Sequence, residues 1–219
     1  LYSILIDIKR IKIQNFKGIE DKKLECNANF TALIGDNGTG KTSILDAIYI
    51  AIGTILLKTN SKFSFRGTNS RPLLNNEIRK VSFSEDNIEL TNVCLKGIFD
   101  DGVKIYQWER TQPVLSKNLS YKYASEITDY GLFILNNLDK DFDLPLFVHH
   151  TTARLWSNIY EKATKYQSIG SRLEGYYACL DSRNIKDKFF NWFRTYEDEV
   201  LKFDKDKSLY DAFTNAITS

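Results

Sequence analysis

The residues with the clearest chemical meaning are 35–42, Gly-Asp-Asn-Gly-Thr-Gly-Lys-Thr, which match the phosphate-loop pattern G-x-x-x-x-G-K-[ST]. Glycines adopt backbone angles that other residues avoid, so such a loop can turn its N–H groups toward phosphate oxygens. The pattern predicts a site for ATP and Mg²⁺, in which Lys41 reaches the β- and γ-phosphates and acts in catalysis. The hydroxyl of Thr42 is the predicted metal ligand. The predicted nucleotide-binding residues of this segment are Gly35, Asn37, Gly38, Thr39, Gly40, Lys41, Thr42 and Ser43.

A strand before this loop and a helix after it are the elements that would position it. Residues 30–35 are mostly apolar and end in glycine, which predicts a buried strand. From Lys41 to about Leu57, apolar residues recur at helical spacing, so the positive end of a helix would face the phosphates. The order of strand, glycine loop and helix predicts an α/β fold of the P-loop NTPase type.

The other elements follow from the same patterns. Residues 8–16 alternate nearly as a strand does, and 22–27 form a weaker strand candidate. Asp101-Gly102 is a hairpin-turn dipeptide, and we expect antiparallel strands at 92–99 and 103–110 on either side of it. The remaining predictions are a loop with one short helix at 58–80, a helix at 122–138, a buried strand at 143–150 and an aromatic-rich helical segment at 186–203.

The charge balance gives no general attraction for nucleic acid. The 219 residues include 30 basic and 28 acidic ones, for a formal net charge of +2, so a polyanion would have to be held by a local patch. Basic residues at 9–12, 22–23 and 183–188 are interleaved with acids, which favours ordinary solvated faces. With 42% hydrophobic residues, the chain has enough apolar material for a sizeable core.

Cysteine and histidine usage argues against a disulfide framework or a zinc site. The three cysteines, Cys26, Cys94 and Cys179, form no CxxC pair, and there are two histidines. We therefore expect buried thiols in a reducing cytoplasm. No apolar run is long enough to cross a membrane, and the first residues lack the order of a signal peptide.

On these residues, the chain resembles ABC-type ATPases of the SMC and RecF class. Asn15-Phe16-Lys17 closes the first predicted strand, and residues 37–42 resemble the N-G-[SA]-G-K-[ST] of that class, with Thr39 as a departure at the small position. Further on, LPLFVHHTTARLW and SRLEGYYACLDSRNIKDKFFNWF resemble a bacterial subgroup that includes ATPases of retron- and Septu-like anti-phage defence systems. The resemblance extends from about residue 8 to 200.

The resemblance implies a dimer that sandwiches ATP between two heads. One head supplies the phosphate loop and the other a signature serine motif, and such proteins act on or near DNA. In a defence system, the expected further partner is an effector such as a nuclease. The resemblance also implies that Lys17 contacts nucleotide and that Arg66 and Arg71 belong to an arginine loop. It further implies that Arg154 belongs to a γ-phosphate-sensing loop after a core strand. Ordinary surface charge is the alternative for each of these side chains.

Two motifs expected from the resemblance are missing. No apolar strand ends in the Asp-Glu pair that holds magnesium and orients water, and there is no LSGG-like signature. Asp100-Asp101 is followed by Gly102 and reads as a turn. The chain also contains no methionine. We therefore expect the first part of a head, with an N-terminal lobe at 1–154 and a helical segment at 155–219 that leads into an insertion or the rest of the head.

The leading functional prediction is an SMC/RecF-like ATPase that dimerises on ATP, although this chain alone should bind nucleotide weakly and hydrolyse it poorly. An ATP-stabilised scaffold with little turnover is the main alternative, favoured by the missing acids. A nucleotide or small-molecule kinase shares the loop, but the hairpin at 93–110 fits it less well. A membrane transporter subunit is disfavoured by the Asn-Phe-Lys start and the aromatic C-terminal half.

Overall fold

The computed structural model describes residues 7–27, 30–61, 73–84, 87–90, 92–113, 116, 120–137, 140, 144–149, 185–203 and 207–218. These residues belong to two compact units. The first contains the described residues up to His149, and the second contains the helices from Ile185 onward. The predicted domain boundary at 154–155 lies outside the described residues and stays a prediction.

An antiparallel sheet is the centre of the first unit. The strands, in chain order, are β1 (Asp7–Phe16), β2 (Ile19–Glu25), β3 (Lys80–Ser84), β4 (Asn87–Leu90), β5 (Val93–Asp100), β6 (Ile105–Gln112) and β7 (Ser120–Tyr123). Five of them form one sheet in the order β2-β1-β5-β6-β7, and β3 pairs with β4 separately. The predicted strands at 8–16 and 22–27 and the predicted hairpin are thereby confirmed. Gly102 adopts a φ of 83° in the hairpin turn, a conformation that glycine enters without steric cost.

Helices account for most of the other described residues. They are α1 (Lys41–Ile52) and α2 (Ser125–Asn136) in the first unit, α3 (Ile185–Phe203) and α4 (Ser208–Thr218) in the second, and the 3₁₀ segments Gly53–Ser61 and Asn75–Glu77. The predicted helices at 122–138 and 186–203 are confirmed. The predicted helix from Lys41 ends earlier than Leu57, because the chain continues past Gly53 as a 3₁₀ segment. No described helix is long and apolar enough to cross a membrane.

One face of the sheet forms the hydrophobic core. Along β5 the side chains alternate between buried and accessible, which places Val93, Leu95 and Phe99 inside. The indole Nε1 of Trp108 on β6 donates a hydrogen bond of 3.1 Å to the carbonyl of Ala51, which connects β6 to α1. Gly97 makes room for that indole, since a Cβ there would lie 2.2 Å from the ring.

Two predicted buried strands are not strands. Residues 30–35 have no regular secondary structure, and Phe30 and Ile34 are 78% and 95% exposed. Residues 144–149 are likewise irregular, with Phe147 buried and Leu146 exposed. Neither segment has a strand partner within the described parts of the chain. Because a strand needs a neighbour to satisfy its backbone, apolar composition alone was not enough to predict one.

The second unit contains two helices in contact through aromatic side chains. Phe193 of α3 stacks on Tyr210 of α4 with ring centroids 5.7 Å apart, and it also meets Phe213 at 4.9 Å. The hydroxyl of Tyr210 donates a hydrogen bond of 2.9 Å to Glu197. Some of the aromatic side chains in this part of the sequence therefore stabilise the contact between α3 and α4.

Candidate functional site: the phosphate loop and its supports

The glycine-rich loop leads directly into α1. Gly38 and Gly40 have φ angles of 86° and 89°, which glycine adopts far more readily than residues with a Cβ. Gly40 precedes the first residue of α1, and its carbonyl accepts a hydrogen bond of 2.9 Å from Ile44 N–H. The first turn of α1 contains no acidic residue. The N-terminal end of the helix therefore presents positive partial charge without a competing carboxylate, as an anion site requires.

Lys41 lies across the loop that precedes it. Its ammonium donates hydrogen bonds of 2.6 Å to the carbonyls of Gly35 and of Asp36. The hydroxyl of Thr39 donates to the same Asp36 carbonyl at 2.9 Å. Thr39, which departs from the small residue expected here, thus stabilises the turn of the loop through its side chain. The ammonium is held at the loop by carbonyl oxygens, which phosphate oxygens can replace.

The donor set of the loop fits a magnesium nucleotide. Residues 35–39 and Thr42 are exposed, while Lys41 and Ser43 are partly buried. A threonine hydroxyl at the start of the helix is a hard oxygen ligand of the kind Mg²⁺ prefers, and it leaves room for waters and phosphate oxygens. The predicted binding residues from Gly35 to Ser43 are therefore contiguous around one helix end, and their roles toward nucleotide stay predictions.

The Asn-Phe-Lys segment at the end of β1 has an unusual backbone. Asn15 and Lys17 both adopt positive φ angles, 55° and 52°, and Phe16 between them is fully buried. The side-chain amide of Asn15 donates to the carbonyl of Asn92 at 2.9 Å, and Lys17 N–H donates to the carbonyl of Glu77 at 2.6 Å. Asparagine tolerates this region, whereas lysine rarely adopts it. The surrounding contacts must therefore hold Lys17 in place.

The side chain of Lys17 connects β1 to the helix of the phosphate loop. Its ammonium lies 2.5 Å from Asp46 Oδ2 and 3.3 Å from Glu77 Oε1. The imidazole of His149 stacks on Tyr49 at 4.5 Å, and its Nε2 is 3.9 Å from Asp46 Oδ1. We call Lys17, Asp46, Glu77 and His149 the Lys17 ion network. Asp46 lies one helical turn after Thr42, so the network reaches the helix that carries the site.

Asp46 and Glu77 were not among the residues that the sequence predicted for the site. The available signal was an acid inside an apolar helix, four residues after Thr42, since such a side chain needs a partner. Glu77 offered no comparable signal, because its closeness to Lys17 depends on how the chain returns to β1 through the Phe16–Ile78 bridge.

Other predicted residues fall outside the site or outside the described residues. Arg66, Arg71 and Arg154 lie outside the described residues, and their roles stay predictions. Within the described residues, no group of three His, Cys, Asp or Glu side chains is placed to hold a metal. Asp100 and Asp101 accept N–H groups of the hairpin turn, which confirms that they form a turn.

The two described cysteines are free and only half-buried, so the expected full burial is not met. Burial is the main reason that the pKa of Cys94 is raised to about 11, and the carboxylate of Glu109 adds to it. Burial also raises the pKa of Cys26. Both thiols are therefore protonated at neutral pH, which gives them little reactivity as nucleophiles or metal ligands.

A glycine-rich loop closed by a lysine at the N-terminus of a helix defines a P-loop nucleotide-binding protein. Within that class, the chain belongs to the family described as AAA domain (AAA_23), which matches residues 10–212. The fold is that of a P-loop ATPase, with an antiparallel sheet and helices in the described residues.

Curated relatives agree with the SMC and RecF resemblance. The chain is 26% identical to the DNA replication and repair protein RecF of Citrobacter koseri over 148 residues, 58% of this chain and 40% of that protein. It is 36% identical to the chromosome partition protein Smc of Methanocaldococcus jannaschii over 58 residues, 26% of this chain and 5% of that protein. It is 22% identical to the retron Vc95 probable ATPase of Vibrio cholerae over 220 residues, 93% of this chain and 40% of that protein.

A solved structure also matches in part. It comes from work titled "Structural biochemistry of ATP-driven dimerization and DNA stimulated activation of SMC ATPases", with a TM-score of 0.37, 21% identity and coverage of 57% of this chain and 76% of that chain. The chain spans 40% or less of the length of the three curated relatives above.

Proposed function

We propose that this chain is the nucleotide-binding part of an SMC/RecF-like ATPase that binds ATP with Mg²⁺ and dimerises through the bound nucleotide. The observation that carries the proposal is the loop itself. Lys41 is placed against the carbonyls of Gly35 and Asp36, at the end of a helix whose first turn has no acid. That end combines the Lys41 ammonium, the backbone N–H groups at the start of α1 and the Thr42 hydroxyl, which together suit a triphosphate.

Binding would exchange acceptors around Lys41. Phosphate oxygens carry more negative charge than the two carbonyls, so the ammonium gains charge-assisted hydrogen bonds when it turns to the β- and γ-phosphates. Thr42 is the residue that would hold magnesium, and the metal would supply positive charge that offsets the charge of the phosphates. To contact nucleotide, the Lys17 ammonium would break its ion pair with Asp46. The carboxylate of Glu77 would remain close to it as a second acceptor.

Hydrolysis would require groups that this chain does not carry in recognisable form. The sequence lacks an apolar strand that ends in Asp-Glu and lacks a signature serine motif. We propose that they come from the remainder of the head and from a second head, so that dimerisation and turnover are coupled. Action on DNA and control of an effector nuclease in anti-phage defence are the further parts of this proposal. Likeness to the DNA replication and repair protein RecF supports action on DNA, and likeness to the retron Vc95 probable ATPase supports a retron-type role. The effector nuclease rests on the sequence resemblance alone.

An ATP-stabilised scaffold is the second candidate. The missing acidic pair favours it, because a site without a group that orients water holds nucleotide but turns it over slowly. The two candidates share the binding step and differ in turnover.

Magnesium-dependent ATP binding and hydrolysis, measured on the wild type and on Lys41→Ala with and without duplex DNA, test the proposal. Loss of charge-assisted hydrogen bonds should weaken binding roughly 10- to 100-fold. Lys104→Ala is the matched control, because Lys104 is an exposed lysine in the hairpin turn, away from the loop. It should bind ATP like the wild type.

Each outcome separates the candidates. Turnover that Lys41→Ala abolishes supports the ATPase, and stimulation by DNA supports its action on DNA. ATP binding without turnover supports the scaffold. If the wild type does not bind ATP, or if Lys41→Ala binds it equally well, the phosphate-loop proposal is wrong.

A further inference from the structure

The pairing of three strands aligns three lysines on the face of the sheet opposite the core. Lys12 of β1 lies directly opposite Lys23 of β2 on one side and Lys96 of β5 on the other. Directly paired residues of antiparallel strands point to the same face, so the three side chains emerge together. We call Lys23, Lys12 and Lys96 the lysine row. With strands about 4.8 Å apart, the row is roughly 10 Å long.

The row is accessible and borders a shallow depression. The side chains of Lys12, Lys23 and Lys96 are 35%, 53% and 46% exposed. Together with Arg10, they line a depression of about 420 Å³ that continues past Gln107 to Tyr123 on β7. Arg10 precedes Lys12 by two residues on the same face of β1, which places it about 7 Å along the strand. Four cations therefore share one surface.

Like charges directly opposite each other on a sheet are unfavourable, and here acids offset them. Lys96 Nζ is 2.5 Å from Glu109, Lys12 Nζ is 3.3 Å from Asp21, and Lys23 Nζ is 3.0 Å from Glu25. Glu25 also accepts from Arg10 at 2.8 Å. Glu109 continues the row on β6, directly opposite Lys96, and its side chain is 25% exposed. Asp21 and Glu25 lie beside the row and are 51% and 58% exposed, so solvent screens their ion pairs. An incoming polyanion can therefore replace these acids as the ion-pair partner of the lysines and Arg10.

We propose that this face, centred on the lysine row, is the docking surface for the phosphate backbone of duplex DNA, bound without sequence preference. The proposal deepens the DNA-acting part of the proposed function and rests on it. A row of evenly spaced cations suits the regular phosphates of a duplex, and each phosphate contact releases counterions. Backbone contacts of this kind need no groove deep enough to hold single bases.

Charge-neutralising variants give the first test. The double variant Lys12→Gln/Lys96→Gln should bind a short, fluorescently labelled duplex of mixed sequence 10- to 100-fold more weakly at low salt. Between about 50 and 200 mM salt, its log-log salt slope should be shallower than the wild-type slope by about two, roughly one for each lost phosphate contact. The control Lys104→Gln/Lys202→Gln removes two exposed lysines outside the row and should leave affinity and slope unchanged.

Removing a competing acid gives the second test, with the opposite sign. Glu109→Gln releases Lys96 and should tighten duplex binding several-fold. A variant that merely damages the sheet would weaken binding, so the two directions together exclude a folding artefact. Thermal unfolding of each variant, followed by circular dichroism, checks the fold independently.

The outcomes distinguish this surface from the proposed function. If the wild type binds duplex but the lysine double variant keeps the wild-type slope, the surface is wrong and the ATPase proposal stands. If the wild type does not bind duplex at low salt, with or without ATP, then both the proposed DNA surface and the proposed action on DNA are wrong. ATP binding by the same sample still tests the phosphate-loop proposal separately. Equal affinity for polyglutamate or anionic phospholipid vesicles would overturn the commitment to DNA.

Discussion

Lys17 occupies a backbone conformation that costs a lysine about 1–2 kcal/mol relative to the ordinary regions. The structure shows what offsets this cost: the N–H bond to the Glu77 carbonyl, and the ammonium contacts to Asp46 and Glu77. The side chain of Glu77 is only 6% exposed, and a buried carboxylate is costly without a positively charged partner. The ion pair therefore stabilises both Glu77 and Lys17. The position of Lys17 therefore depends on contacts from two other parts of the chain, α1 and the 3₁₀ segment that contains Glu77.

The coupling between Lys17 and Asp46 can be measured with a double-mutant cycle of Lys17→Ala and Asp46→Asn. We expect an interaction energy of about 1–2 kcal/mol in denaturant unfolding, because the pair is close and partly shielded from water. The control cycle is Lys202→Ala with Asp198→Asn on α3, an exposed pair four residues apart, which should give about 0.3–0.5 kcal/mol. Equal coupling in the two cycles would contradict a structural role for the Lys17 ion network.

Sequence alone predicted a glycine-rich loop directly before a helix, because the motif is local, and the structure has that arrangement. The roles of the individual loop residues toward nucleotide stay predictions. The sequence did not predict the Lys17 ion network. Lys17, Asp46 and Glu77 are far apart in the chain, and no local pattern reports that a strand end, a helix and a 3₁₀ segment meet. The structure also places His149 beside Asp46 and Tyr49, a contact that no local pattern indicates.

At the scale of elements, local sequence patterns predicted a strand correctly where its pairing strand follows closely in the sequence. The hairpin β5–β6 was predicted from its turn dipeptide, since the turn itself brings the strands together. The apolar runs at 30–35 and 143–150 had no such turn, and the structure gives them no strand. An apolar run indicates that burial is favourable, but it does not supply the neighbour that makes a strand.

The contact between α2 and the 3₁₀ segment after α1 depends on a single glycine. A Cβ added to Gly131 would lie 1.9 Å from the carbonyl oxygen of Ile55, and a backbone atom cannot swing aside. Gly131→Ala should therefore destabilise the protein by about 3 kcal/mol, at the upper end of overpacking costs. The free energy of unfolding in denaturant measures it.

Gly18→Ala is the matched control for Gly131→Ala. Nothing lies within 4 Å of a Cβ at Gly18, and its φ is not in the left-handed region. The substitution should be neutral or stabilising by up to about 1 kcal/mol, because alanine lowers the entropy of the unfolded chain. A small effect at Gly131 would mean that α2 shifts to accommodate the methyl group.

For the whole molecule, the net charge of +2 conceals how the charges are arranged. Interleaved acids and bases predicted solvated faces, yet strand pairing places three lysines side by side. Register is set by long-range pairing, so it could not be read from the sequence. The strand β1 contributes Arg10 and Lys12 to the proposed DNA surface, and Lys17 follows its last residue directly. A single strand therefore joins that surface to the supports of the phosphate loop.

The exposed stretch at 30–35 also has a consequence for the behaviour of this polypeptide in solution. Phe30 and Ile34 present large apolar side chains on a segment without regular secondary structure, and exposed apolar side chains of this kind favour association between identical chains. Phe30→Lys should slow the rise of light scattering at high protein concentration. Val103→Lys removes an equally exposed apolar side chain from a tight turn and should change it little. Equal effects would indicate general surface stickiness, whereas a selective effect would make Phe30 the residue that limits how long concentrated protein stays monodisperse.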